Sequence, residues 1–357
     1  FKILNYILFI IKLYMKYKIF ILLLIIINCI VFFSSKKTIP DVEFPFKNIK
    51  DENNKNLNIM AITAPFRSDK DKELFNEYTS KYKIPMIGVT SYLNFPGEIT
   101  HPYDDPYYKK HFNSHNYIDS CLGWCHCFRD PTSRGLGLDK KPLLSLSESD
   151  LVSQGHKTNT NKIYDFIYVC LQDNKKCEAG WQSENRNWEL AKKCFPIMCK
   201  EFNLKGLLVG RTNCDVDIQC NNLISIVGDE NNEGKIDYFD FQKNLAQSRF
   251  LFVPNIRDAS PRVLTEALAV DVPVLVNKNI YGGWKYINEE TGEFFNNEQD
   301  FPIILRKLLT KIKQKKYNPR KWFTTNYGPK KTGKVLRDFL KKIYPELWNC
   351  EYCSFTK

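Results

Sequence analysis

SRFLFVPNIRDASPRVLTEALAVDVPVLVNKNIYGGWKYINEETGEFF, Ser248 to Phe295, holds two apolar runs separated by an amphipathic segment. Phe250 to Val253 is a short apolar run closed by Pro254, and Val272 to Val276 is a second, rich in β-branched residues. Both read as strands buried on two faces, as in a parallel sheet. Between them Val263, Leu264, Ala267 and Leu268 recur at helical spacing, with Ser260 placed to cap the helix and Pro261 suited to its first turn. The stretch is therefore a βαβ unit.

Two acids in this unit are not placed for packing. Asp258 precedes the helix start, where free amides and the positive end of the dipole favour an anion, and Glu266 follows two turns into the helix. A phosphate-bearing ligand set against that terminus has its sugar hydroxyls near one carboxylate and its ribose near the other. The plainer alternatives are that Glu266 pairs with Arg262 one turn earlier and that Asp258 is an ordinary loop acid.

Asp258-x7-Glu266, followed by Ala267-Leu268, Val272-Pro273-Val274, Gly282-Gly283 and Thr291-Gly292, resembles the donor-binding half of the retaining GT-B glycosyltransferases that carry a Glu-x7-Glu motif. The resemblance covers roughly residues 163 to 312. It implies an α/β chain of two Rossmann-like domains facing a cleft, with no cofactor and no metal beyond a nucleotide-sugar co-substrate. It assigns Asp258 to the transferred sugar and Glu266 to the ribose. It places Ser260, Pro261 and Arg262, with Gly282 and Gly283, at the donor, the backbone N–H groups of Ser260 and Arg262 helping the diphosphate depart. The family has Glu where this chain has Asp258 and Gly where it has Asp271, and an Asp tolerates a left-handed turn. After the strand at residues 163–171 the family clamps the diphosphate with an Arg and a Lys. Here the Arg position holds another residue and Lys175 or Lys176 is the candidate lysine, a solvated turn being the alternative. Strands at 204–209 and 223–227 follow, and Gly228 at the end of the second lies where the base is expected.

At 357 residues and 42.0 kDa the chain has room for two domains, and an apolar content of 43% suffices for two cores. A formal charge of +12 and a pI near 9.0 point to anionic partners. With no zinc-finger spacing or nucleic-acid module, that excludes nucleic acid in favour of membrane lipid or phosphorylated sugars.

Residues 19–35 are nearly unbroken Ile, Leu, Val and Phe and reach the lower length of a spanning helix. The alternative is a cleaved signal peptide, but Phe32-Phe33-Ser34-Ser35 lacks a small-x-small site. Lys2, Lys12, Lys16 and Lys18 against Lys36 and Lys37 put residues 1–18 in the cytosol and the rest in the lumen of the ER or Golgi, as in a type II membrane protein. Met15 is an alternative start. Twelve cysteines suit that disulfide-permissive compartment, with Cys214–Cys220 and Cys350–Cys353 as candidate pairs. A zinc site from Cys121, Cys125, His126 and Cys127 lacks the usual spacing.

Residues 36–56 read as a polar stem, 57–157 as an acceptor-side domain, 158–315 as the nucleotide-sugar domain, and 316–357 as basic helices crossing back. In the first domain, strands are expected at 57–63 and 84–89 around a helix at 69–82. His126, with Arg129 and Asp130, is the candidate to stabilise charge in the cleft, the alternative being a histidine satisfied by local hydrogen bonds. Asp215-Val216-Asp217 spells a manganese-binding triplet without the rest of that architecture. The reading is a glycosyltransferase with a glycan, protein or lipid acceptor. Its rivals are a sugar-nucleotide epimerase and a non-catalytic lumenal binding protein.

Overall fold

Apolar runs closed by glycine or polar turns become strands of two six-stranded sheets, and the amphipathic stretches between them become covering helices. The computed structural model describes residues 14–18, 42–91, 95–97, 110, 113–137, 141–153, 161–174, 178–211, 218, 220–228, 236–345, 351 and 353–355. The chain separates into two compact units, Phe1–Asp41 and Val42–Lys357. In the first, residues 14–18 are helical. The span expected over 19–35 lies outside the described residues, and among those described no helix is long and apolar enough to cross a membrane.

In the second unit the first sheet comprises β1 (Phe46–Lys50), β2 (Asn56–Ile62), β3 (Met86–Val89), β4 (Trp124–Cys125), β5 (Leu143–Leu144) and β12 (Ser354–Phe355), in the order β12-β1-β2-β3-β4-β5. β2 to β5 run parallel, while β1 is antiparallel to both neighbours. Helix α1 (Asp69–Asn76), drawn on as a looser turn through Lys81, connects β2 to β3 and buries Tyr78. β1 corrects the expected stem. Phe46-Lys-Asn-Ile-Lys is too short and mixed to show a period, and its conformation is set by long-range pairing, Phe46 with Ile62 and Asn48 with Met60.

The second sheet comprises β6 (Tyr164–Val169), β7 (Gly206–Val209), β8 (Leu223–Ile226), β9 (Ser248–Val253), β10 (Val274–Asn277) and β11 (Gly292–Phe295), all parallel, in the order β11-β10-β9-β6-β7-β8. Its helices are α2 (Trp181–Arg186), α3 (Trp188–Pro196), α4 (Tyr238–Ala246), α5 (Arg262–Ala269) and α6 (Phe301–Lys313). The period of two along its strands sorts the core by size. Ile167, Leu251, Val253 and Val276 face Leu264 and Leu268 of α5, whereas Phe166, Tyr168, Phe250 and Phe252 face Phe195 of α3 and Leu305 of α6. Cys199 is disulfide-bonded to Cys220, tying the turn after α3 to the approach of β8. That corrects the expected Cys214–Cys220 pair: Cys199 sits in a buried helical segment whose sequence gives no hint of a bridge.

Two terminal helices, α7 (Pro319–Asn326) and α8 (Pro329–Ile343), follow. Phe323 of α7 joins the core of the second sheet under α5, and Leu336, Phe339 and Leu340 of α8 pack with Ile59, Ile87 and Val89 of the first.

Candidate functional site

Open parallel sheets collect ligands at the carboxyl ends of their strands where the winding reverses, and here that point lies between β6 and β9. Asp258 stands in the loop leaving β9 and is 8% exposed. Its Oδ1 accepts the Ser260 backbone N–H at 3.2 Å, and its Oδ2 accepts the Asn255 amide at 3.2 Å and an ion pair from the Arg186 guanidinium. Arg186 ends α2, the segment that leads away from β6. Tyr168 on β6 donates to the Arg186 carbonyl at 3.0 Å, Asn187 donates to the Pro254 carbonyl at 3.0 Å, and Arg257 pairs with Glu184 at 2.9 Å. The end of α2 is thereby stitched to the loop that carries Asp258.

Arg186 is the residue the sequence reading missed. Trp-Gln-Ser-Glu-Asn-Arg has no apolar stripe and reads as loop; it is helical because the Asp173 carboxylate accepts the amides of Gln182 and Ser183. The available signal was Asn187, whose left-handed conformation (φ 52°) terminates the turn. Lys175 and Lys176, the expected basic pair, lie outside the described residues, as does the triplet at 215–217.

The helix start also differs from expectation. Pro261 (φ −73°, ψ 86°) occupies the N-cap, so Ser260 stands two residues ahead of the first helical residue, out of reach of its amides. The Ser260 hydroxyl instead meets that of Ser149 at 2.9 Å, across the two halves. No side chain caps α5; the Leu264 N–H turns back to the Pro261 carbonyl at 3.1 Å, which leaves the amides of Arg262 and Val263 at the helix start for an anion. Further along α5, Glu266 is 8% exposed, with the Arg262 guanidinium 3.5 Å away. Arg262 and Tyr238 line a cavity of about 520 Å³ whose opposite wall is Lys47, Lys50 and Glu148 of the first half. Burial, and secondarily the nearby Glu266 carboxylate, raise the Tyr238 hydroxyl above its ordinary pKa.

Gly282 and Gly283 are tightly packed in this knot. Gly282 donates to the Asp258 carbonyl at 2.9 Å and bridges to Phe128; Gly283 donates to the Cys127 sulfur at 3.0 Å. A Cβ on Gly282 would stand 2.0 Å from the Ala259 carbonyl oxygen, and Gly283 adopts φ +74° against the Pro261 ring. Asp258, Ser260, Pro261 and both glycines thus form one cluster. Gly228 is not part of it: it follows β8, separated from β9 by β6 and β7.

His126 lies in the first half, one residue before Cys127. It is buried, stacked on Phe128 and within hydrogen-bond reach of the Phe128 backbone, while its Nδ1 has no partner among the described residues. Burial, with the charge of Lys285, lowers its pKa to about 4. The imidazole is neutral at neutral pH and offers hydrogen bonding rather than charge. Arg129 spreads over the Trp284 ring at 5.4 Å. After β7, Arg211 is 1% exposed, lies over the Trp188 ring at 4.4 Å, donates to the Ser183 hydroxyl at 2.8 Å, and has no carboxylate partner among the described residues.

The halves are held together by a buried ion pair. Lys285 donates to Asp150 Oδ2 at 2.9 Å and to the Ser145 carbonyl at 3.0 Å, while the Tyr286 hydroxyl donates to Asp150 Oδ1 at 2.9 Å and the Ser147 N–H to Oδ2 at 2.7 Å. Burial keeps the Asp150 carboxyl above its usual range despite these partners.

No protein-family model and no curated protein sequence matches the chain. Solved structures do. TarM of S. aureus aligns with a TM-score of 0.55 at 13% identity, over 77% of this chain and 53% of TarM. The pneumococcal O-GlcNAc transferase GtfA, solved with UDP and GlcNAc, gives 0.55 at 10% identity, over 79% and 56%. A glycosyltransferase from Rickettsia africae gives 0.51 at 13% identity, over 78% and 81%. The chain spans little more than half the length of the first two. The likeness is one of fold: the two facing parallel-rich sheets are those of GT-B, and these structural neighbours are glycosyltransferases.

Proposed function

We propose that the chain transfers a sugar from a nucleotide-sugar donor to a glycan, protein or lipid acceptor, with retention and without a metal. The observation that carries this reading is an uncapped helix at the reversal point of the sheet, with Asp258 fixed just ahead of its start and Glu266 buried on the same helix. In this reading Asp258 orients the transferred sugar and Glu266 holds the ribose. As the nucleoside diphosphate departs, charge grows on its terminal oxygen, and the first-turn amides of α5 stabilise it in place of a divalent ion. His126, being neutral, serves by hydrogen bonding. Residues 19–35 anchor the chain in the ER or Golgi membrane with this domain lumenal, a reading supported by the lysine asymmetry and the cysteine-rich composition.

The test is thermal stabilisation of the full chain in detergent by uridine, guanosine and adenosine diphosphates with EDTA present, followed by turnover of a labelled donor across an acceptor panel. One nucleoside diphosphate should raise the melting temperature, and Glu266→Ala should abolish the rise. No shift with any nucleotide overturns the donor-site reading; a shift without transfer or hydrolysis makes the chain a binding protein.

A further inference from the structure

Three donors converge on the Asp258 carboxylate, and they differ in freedom. The Ser260 N–H is backbone and Asn255 is 2% exposed, so both are fixed. The Arg186 side chain is 28% exposed on a long flexible stem, so it is the one able to turn. It lies close to the uncapped start of α5, because the acid it grips is itself bonded to the amide two residues before the first helical residue. A guanidinium meets a diphosphate through two parallel bonds, as it does a carboxylate, and the diphosphate carries the greater charge.

We infer that Asp258 and the diphosphate of the donor compete for Arg186. Without ligand the arginine latches the acid. When the nucleotide seats on α5 the guanidinium turns to the phosphates, and Asp258 is released to accept a sugar hydroxyl. The cation that holds the diphosphate is thus supplied by the end of α2. This inference rests on the donor-site reading above and adds to it the order of events at the acid.

The competition has a signature opposite to that of a simple ligand-binding acid. Full chain in detergent is titrated calorimetrically with uridine, guanosine and adenosine diphosphates and with the matching nucleosides, in EDTA. Wild type, Asp258→Asn, Arg186→Ala and the double variant are compared, with melting curves confirming that each is folded and Arg186→Lys as a charge-retaining control. Asp258→Asn should bind the recognised diphosphate about tenfold more tightly, and Arg186→Ala about tenfold more weakly, the effect of freeing or removing one charge-assisted bidentate donor. In the Arg186→Ala background the gain from Asp258→Asn should nearly vanish, Arg186→Lys should fall between, and nucleoside binding should not change. An equal gain in both backgrounds means loss of simple repulsion and overturns the latch. Weaker binding by Asp258→Asn also overturns it, because the acid then only holds the loop. Failure of wild type to bind any of the three diphosphates refutes the donor-site reading itself; binding that Glu266→Ala abolishes, with additive effects in the cycle, leaves that reading standing and removes the latch alone.

Discussion

Lys285→Met tests whether the ion pair between the halves holds them together. The substitution keeps most of the stem and removes the ammonium that pairs with Asp150, a residue 1% exposed. Stranding one member of a buried pair costs roughly 3–5 kcal/mol. Two neutral donors, the Tyr286 hydroxyl and the Ser147 N–H, stay on the carboxylate, so the loss should sit near ~3 kcal/mol, the lower end of that range. Burial already raises Asp150, and Lys285 is the chief influence lowering it; without the lysine its pKa climbs further. A carboxyl whose folded pKa lies above its unfolded value of about 3.9 makes the fold bind more protons than the unfolded chain. The deficit of the variant relative to wild type should therefore be full above the folded-state pKa and shrink as pH falls through it. Urea unfolding at a series of pH values, followed by tryptophan fluorescence, measures this difference. Asp150→Asn with Lys285→Met should recover at least half of the loss, since no charge is then stranded. A deficit that is constant or grows toward acid, or a double variant as unstable as the single, would refute the clasp.

Two further outcomes follow from the same geometry. Gly282→Ala drives a methyl into the rigid Ala259 carbonyl and breaks the bond to Asp258, so stability should fall by roughly 2–4 kcal/mol and nucleotide affinity should fall with it; a loss below about 1 kcal/mol in urea unfolding would show that the loop yields freely. His126 is held neutral, with its folded pKa at about 4 below the ordinary value for an imidazole. Between those values the unfolded chain takes up a proton that the fold refuses, so stability declines as pH falls through the window, and His126→Gln should flatten that slope. Imidazole NMR shifts that titrate near an ordinary pKa of about 6.5 would contradict it.

The second sheet was legible because parallel strands buried on both faces appear as unbroken apolar runs, and the helices between them keep one apolar stripe. Asp258 and Glu266 were singled out by their place at the helix start and along it, together with the flanking strands, the proline and the Gly-Gly that carry the resemblance. Arg186 could not, since its bond to Asp258 joins residues 72 apart and its helix is stabilised by a carboxylate outside the helix. Ser260 was given a local role, whereas its partner Ser149 comes from the other half. Gly282 and Gly283 were read as ligand contacts, and the tight approach of the Ala259 carbonyl to Gly282 and of the Pro261 ring to Gly283 is a packing demand that the sequence did not show. The first sheet was hardest to read: β4 and β5 are two residues each, too short for any period, and β1 owes its conformation to strands far away in the chain.

β12 makes the first sheet depend on a segment far along the chain. Its two residues, 354 and 355, cover the edge of β1, and the Glu351 amide bonds to Glu52, 299 positions earlier. Without it β1 presents a bare row of amides and carbonyls, the kind of edge on which stray strands nucleate. Replacing Ser354 and Phe355 by proline should therefore make the protein more prone to aggregate through the β1 edge, although every residue of β1 to β5 is intact.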